Sequence, residues 1–144
     1  MTHAGDSRRS ALAHAYAHTS YTAVTPSGHI VLRVGSRSAA LDRLLVRYER
    51  ASWMFLTAYN PGSRLLSADE NHARQRQLLA ELEARAIIVF RGFGVGDNTD
   101  WPAEDSVLAL GVKLEEAREL GRRFGQNALV YGTHGQPSQL IWCD

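Results

Sequence analysis

Thr57-Ala-Tyr-Asn-Pro-Gly-Ser-Arg-Leu-Leu-Ser-Ala-Asp-Glu-Asn-His-Ala-Arg-Gln75 reads as the end of a buried strand, a tight turn and the start of a helix. Asn60 before Pro61 favours a turn, and Gly62 permits a positive φ. Ser67 with Glu70 three residues on is a capping-box pair, so a helix is expected to begin there and to run to about Arg85. Its inward stripe is apolar at Leu78, Leu79 and Leu82. Stepping by threes and fours along the same face leads to Gln75, Arg74 and Asn71. Polar side chains on a core-facing stripe are costly unless they are satisfied. The stretch therefore predicts a buried hydrogen-bond network or a polar pocket.

Outward from this stretch, Trp53 to Tyr59 is short and aromatic and stops at Asn60-Pro61-Gly62, as a central strand does. Ala86 to Phe90 reads as a buried strand followed by a glycine-rich loop, Gly92-Phe-Gly-Val-Gly96. Val107 to Leu110 is another strand. Leu114, Ala117, Leu120, Gly121 and Phe124 line one face of a helix that stops at Gly125, and Ala128 to Tyr131 and Gln139 to Trp142 are the closing strands. Upstream, Tyr21 to Val24 and His29 to Val34 flank the turn Pro26-Ser27-Gly28 as a hairpin. Leu41, Leu44, Leu45 and Tyr48 make Ala39 to Glu49 a helix. The first ten or so residues read as flexible, and Ala11 to His18 as a short alanine-rich helix.

The expected organisation is a flexible N-terminal segment over residues 1–20 and a single globular domain over 21–144. From Trp53 the order β-α-β-β-α-β-β predicts an α+β fold, a ferredoxin-like β-α-β-β-α-β sandwich with an added N-terminal hairpin and helix. An irregular α/β mixed sheet is the alternative.

Composition narrows the function classes. With 44% hydrophobic and 22% charged residues the chain is an ordinary globular one, and a formal net charge of +1 gives no bulk attraction to nucleic acid or anionic membrane. Lys113 is the only lysine, so fixed bidentate arginine pairing dominates over mobile point charges. One cysteine, Cys143, excludes an intrachain disulfide and a thiolate-rich zinc site. No apolar run approaches the roughly 20 residues that span a bilayer, and Met1 to Ser20 lacks the apolar core of a secretory signal. A cytoplasmic location is expected.

The candidate ligand-binding residues are Tyr59, Asn60, Ser63, Arg64, Asn71, Arg74, Gln75, Trp101, Gln126 and Asn127. The turn would deliver Asn60, Ser63 and Arg64 to the C-terminal end of a strand beside a helix start, a common place for ligands in open sheets. Arg64 or Arg74 would pair with a phosphate or carboxylate. Asn71, Arg74 and Gln75 would floor the pocket or, with equal weight, fix the fold by bonding the neighbouring loops. Gln126 and Asn127 follow a helix end. If their strand lies beside the Tyr59 strand, they face the same pocket, with Tyr131 on the face of Asn127.

The glycine-rich loop matches neither dinucleotide nor Walker fingerprints and reads as a mobile loop or lid rather than a phosphate cradle. Asp97, Asp100, Glu104 and Asp105 surround Trp101 without calcium-loop spacing, and Glu104, just before a strand, is the one kept as a candidate base. His14 and His18 stand at i, i+4 but without an acidic residue in the zinc-protease pattern, so no metal is expected. No Ser-His-Asp or Cys-His arrangement can be argued from these positions, and the sequence leaves the cofactor unknown.

Thr57-Ala-Tyr-Asn-Pro-Gly-Ser63, Glu70-Asn71 with Arg74-Gln75, Trp101-Pro102 with Glu104 and Ser106, and Arg123-Phe-Gly-Gln-Asn-Ala128 together resemble the bacterial domain of unknown function 3293. The similarity spans roughly Tyr48 to Trp142. It implies a small, usually stand-alone bacterial protein and brings no catalytic residues with it. Gly96-Asp97-Asn98-Thr99-Asp100 departs from the glycine-and-proline-bearing loop expected before the tryptophan.

Three functions compete. The first is a small-molecule domain, binding or enzymatic, whose ligand offers an anionic group and amide-readable edges, as nucleotides and amino-acid-like metabolites do. The second is a protein or nucleic-acid interaction module using Trp53, Trp101 and Trp142 with Arg118, Arg122 and Arg123, the nucleic-acid version being weakened by the near-neutral charge. In the third, the polar set simply specifies the fold.

Overall fold

The strand before the asparagine turn is Ser52–Leu56, and it is buried on both faces. Trp53 and Phe55 enter one apolar cluster, Met54 and Leu56 another, as the two-residue period requires. The structure, a computed structural model, describes residues 3–98 and 100–144. Thr2, in the segment expected to be flexible, and Thr99, in the loop before Trp101, lie outside the described residues.

In chain order the elements are α1 (His3–Ala17), β1 (Thr19–Thr25), β2 (Gly28–Leu32), α2 (Ala39–Arg47), β3 (Ser52–Leu56), α3 (Ala68–Ala84), β4 (Ile88–Gly96), β5 (Glu104–Leu110), α4 (Leu114–Arg123), β6 (Ala128–Thr133) and β7 (Gln139–Trp142). This is a mixed α+β fold with four helices and one seven-stranded sheet, ordered β2-β1-β4-β5-β3-β6-β7. Every pairing among the described residues is antiparallel.

Each face of the sheet has its own core. On one, Leu78 and Leu82 of α3, Ala117 and Leu120 of α4, and Phe124 at its C-cap cover Met54, Val107, Ala109 and Leu129. On the other, Leu41, Leu44 and Leu45 of α2 meet Trp53, Phe55, Leu108, Leu110 and the hairpin residues Tyr21 and Ile30. Full burial of one such side chain stabilises by about 1.5–3 kcal/mol. Local signals set the helix starts: Ser38 Oγ accepts from Leu41 N–H at 3.1 Å. Ser67 Oγ accepts from Glu70 N–H at 3.1 Å while Ser67 N–H donates to Glu70 Oε1, so the capping box forms.

Two expectations are corrected. Gly92 to Gly96 is not a loop or lid: β4 runs through Gly96, paired with β1 on one side and β5 on the other. Alternation places Gly92, Gly94 and Gly96 on one face. A Cβ at Gly92 would stand 2.6 Å from the Thr22 carbonyl oxygen and 2.9 Å from Phe55 Cζ. Close packing, not mobility, requires glycine there. This longer β4 also carries β5 back to Glu104, three residues before the expected start at Val107.

The N-terminal helix spans His3–Ala17, beginning before Ala11, and β1 begins at Thr19. Contacts with the other end of the chain hold it: Arg9 lies 4.7 Å over the Trp142 ring and 2.5 Å from Asp144, and Arg8 Nη2 donates to Asn127 Oδ1 at 3.3 Å.

Candidate functional site

The turn after β3 puts Asn60 in the left-handed region, at φ 47° and ψ 62°, and Ser63 at φ 62°. Asparagine visits this region with little penalty, whereas a residue such as serine there costs of order 1 kcal/mol that the surroundings must offset. Here they do. Asn60 N–H donates to Asn71 Oδ1 at 2.9 Å, and Asn60 Oδ1 accepts from Asn71 Nδ2 and Leu66 N–H, each at 2.9 Å. Gln75 Oε1 accepts from Ala58 N–H at 3.1 Å, and Arg74 donates from Nε to the Ala58 carbonyl at 2.8 Å and from Nη2 to the Phe124 carbonyl. Gln126 Nε2 donates to the Tyr59 carbonyl at 2.9 Å, and Gly62 N–H to the Gly125 carbonyl at 2.7 Å. Gly125 has φ 70°, and a Cβ there would stand 2.7 Å from Pro61 Cβ.

The remaining donor of Asn60 points the other way. Its Nδ2 reaches Glu104 Oε2 at 2.7 Å, and Trp101 Nε1 donates to the same oxygen at 3.0 Å. Glu104 ends a row that crosses three strands: Tyr21 pairs with Gly94, and Gly94 with Glu104. Cross-strand partners share a face. The absent side chain at Gly94 therefore leaves a gap between the phenol and the carboxylate. A Cβ at Gly94 would meet the Tyr21 ring at an ordinary 3.6 Å. Tyr16 of α1 lines the gap from above, Phe55 and Trp101 line it as well, and the cleft holds about 230 Å³.

Electrostatically the cleft is one-sided. Among the described residues no arginine, lysine or histidine lines it, Glu104 forms no ion pair, and its Oε1 receives no hydrogen bond. Other carboxylates are matched: Asp97 lies 2.7 Å from Arg33, and Glu81 lies 2.8 Å from both Arg85 and Arg123. The tyrosine hydroxyls beside Glu104 turn to backbone, Tyr16 to the Ala128 carbonyl at 3.5 Å and Tyr21 to the Tyr16 carbonyl at 3.3 Å. Burial first, and after it neighbouring negative charge that includes Glu104, pushes both phenols well above their ordinary value.

Of the residues singled out from the sequence, Asn60, Ser63, Trp101, Glu104 and Gln126 line this cleft. Asn71, Arg74 and Gln75 lie on the α3 side of the turn and bond its backbone. Tyr59 directs its hydroxyl to Asp105 Oδ2 at 3.1 Å, away from Glu104. Burial, then that bond, pushes its phenol up to about 12. Arg64 is exposed outside the cleft. Asn127 donates to Ser63 Oγ at 2.9 Å and lines a neighbouring depression with Arg8, Arg9 and Arg122. Tyr131 does not join a pocket with it: β6 carries its ring into the α3–α4 core, where the hydroxyl donates to the Val112 carbonyl at 2.8 Å.

The His14 and His18 rings stack on each other at 4.0 Å, and among the described residues no group of three His, Cys, Asp or Glu is placed to hold a metal ion. Cys143 is buried against Gly121, and burial pushes its thiol up to about 11, far from a reactive thiolate at neutral pH. The sequence reading missed Tyr16, Tyr21, Phe55 and Gly94. The available signal was the strict alternation of glycine at 92, 94 and 96, which has the period of a strand.

With this geometry in place, comparison with protein families identifies a match. The signature described as "Protein of unknown function (DUF3293)" matches residues 56–129, half of the chain. The chain belongs to the DUF3293 family. The match takes in the turn, α3, β4, β5, α4 and the start of β6, so Asn60, Gly94, Trp101, Glu104 and Gln126 fall inside the DUF3293 segment. Tyr16, Tyr21 and Phe55 precede it. No curated protein and no solved structure matches the chain. Among the described residues no helix is long and apolar enough to cross a membrane.

Proposed function

We propose that this DUF3293 protein binds a small organic molecule in the cleft between α1 and the row Tyr21–Gly94–Glu104. The observation that carries the reading is the gap left by Gly94, which is roofed by a helix, walled by aromatic rings and supplied with a few convergent polar groups. Apolar concavities with a small set of orienting polar atoms are where small ligands bind. The anionic, nucleotide-like ligand expected from the arginines has less support, because Arg64 and Arg74 both lie outside the cleft and its one charged group is a carboxylate. Binding is favoured over catalysis, since among the described residues no histidine, cysteine or lysine lines it.

The same reading takes β3-α3-β4-β5-α4-β6 as a ferredoxin-like split β-α-β sandwich. The order β6-β3-β5-β4 and the placement of α3 and α4 on one face support it, with β1–β2 added at one edge and β7 at the other. Residues 21–144 then form the globular domain of a bacterial cytoplasmic protein, with the N-terminal segment closing over its cleft. An interaction module has less support: Arg122 donates to the Cys143 carbonyl, Arg118 to the Asp144 carbonyl, and Arg123 pairs with Glu81.

A thermal-shift screen of metabolite-sized compounds on the wild type and on Gly94→Val tests this. Valine suits a strand and would plug the gap. A compound that raises the midpoint of the wild type by mass action and leaves a folded Gly94→Val unmoved supports the cleft. A hit that survives the plug places binding elsewhere, and a flat screen returns the polar set to a purely structural role.

A further inference from the structure

We infer that the cleft is an ammonium site, taking a small cation whose nitrogen carries alkyl groups and seating it between Glu104 and the rings of Tyr16, Tyr21, Phe55 and Trp101. The inference rests on the small-molecule reading above and names the class of ligand.

The first argument is charge. Glu104 is half-buried, it has no counter-ion among the described residues, and both hydrogen bonds it receives come from neutral donors on one oxygen. A carboxylate drawn partly out of water gains from a cation brought close, and more so where apolar walls exclude water. The second argument is the walls. Four aromatic side chains line a space of about 230 Å³, with Tyr21 and Phe55 edge to face at 5.4 Å between centroids. Ring faces attract cations through their quadrupoles, and a cage of them is how proteins hold substituted ammonium groups.

The third argument decides between ammonium types. A primary ammonium needs three acceptors to replace its water. The amide oxygen of Asn60 already accepts two bonds, and the lining of the cleft is largely apolar. Glu104 Oε1 is the charged acceptor there, and the apolar character of the remaining lining suits a nitrogen that is wholly or largely alkylated.

Isothermal titration of the full chain with choline, phenyltrimethylammonium and 3,3-dimethylbutan-1-ol tests this, the last being the neutral carbon twin of choline. Choline is expected to bind about tenfold or more tightly than the alcohol, the range that cation–π and carboxylate contacts together supply. Glu104→Gln, which keeps an acceptor for Asn60 and Trp101, should remove most of that preference while leaving the alcohol within about twofold. Trp101→Leu is the second variant. Trp101 is 39% exposed, so the change spares the fold, and it keeps an apolar wall while losing the ring. It should weaken choline about fivefold and the alcohol little.

Equal affinity for choline and its twin, or a choline affinity untouched by both substitutions, overturns the ammonium inference. The small-molecule reading stands in that case if other compounds still bind the wild type and fail on Gly94→Val. If no cation binds and the wider screen is also flat, both fall together.

Discussion

Asn60 stands between two regions made of similar residues to opposite ends. On its α3 side, Asn71, Arg74 and Gln75 meet the backbone of Ala58 to Asn60, and each named donor there has an acceptor. On its β5 side, Glu104 accepts from Asn60 and Trp101 and, among the described residues, keeps one oxygen without a partner beside a space of about 230 Å³. Polarity in a core is therefore no guide to a ligand site by itself. What separates the two regions is whether the polar atoms exhaust one another.

The largest effect expected from disturbing this arrangement is alkaline. Tyr59 belongs to the α3 side and Tyr16 and Tyr21 to the cleft, and all three phenols are raised by burial in the folded chain. A raised folded value means that the native state holds its protons more tightly than the unfolded one. Stability is then fully present below about pH 10 and falls as pH rises toward and past 12. Urea midpoints at pH 8 and pH 11 should differ sharply, and Tyr21→Phe should flatten the slope. A midpoint that stays constant to pH 11 would contradict the burial of these hydroxyls.

Asn71→Ala comes next. It strips the buried N–H of Asn60 of its acceptor and Asn60 Oδ1 of one donor, and leaving buried polar groups unmet costs about 2–3 kcal/mol. Gln75→Ala should cost about 1–3 kcal/mol through the stranded N–H of Ala58. Both are read from urea unfolding. A loss of cleft binding in either variant while the fold keeps its stability would reverse the division drawn here.

How much of this division was legible beforehand depends on which residues are asked about. The capping box at Ser67 and Glu70 and the apolar stripe at Leu78 and Leu82 are local signals, and they placed α3 correctly. The polar stripe was legible as a problem requiring a solution, because three polar residues on an inward face cannot be left unmet. Its solution was not, because Ala58 and Phe124 offer backbone atoms and backbone leaves no trace in a sequence. Gly92, Gly94 and Gly96 misled for a related reason. Glycine in strands is depleted, so three of them argue for a loop unless the alternation is weighed against the neighbours that demand it. Those neighbours, Thr22 and Phe55, lie 70 and 37 residues away. The cleft itself depends on α1 closing over that glycine stripe, a contact between distant segments to which neither contributes a motif.

The smallest expected effect on stability is the most telling for the comparison. Glu104→Gln substitutes a neutral group of nearly the same shape whose amide oxygen can still accept from Asn60 Nδ2 and Trp101 Nε1. Two hydrogen bonds to a charged acceptor become two to a neutral one, a loss of about 1 kcal/mol or less once the relief of a partly buried, unpaired charge is set against it. A residue whose role is to hold the turn would cost as much as Asn71 when changed. If urea unfolding shows Glu104→Gln to be as destabilising as Asn71→Ala, the carboxylate belongs to the structural network, and the two sides of Asn60 are one region. If the variant unfolds near the wild-type midpoint, the charge of Glu104 is not needed for the fold, and a carboxylate kept without a counter-ion in an aromatic cleft is explained by what binds there.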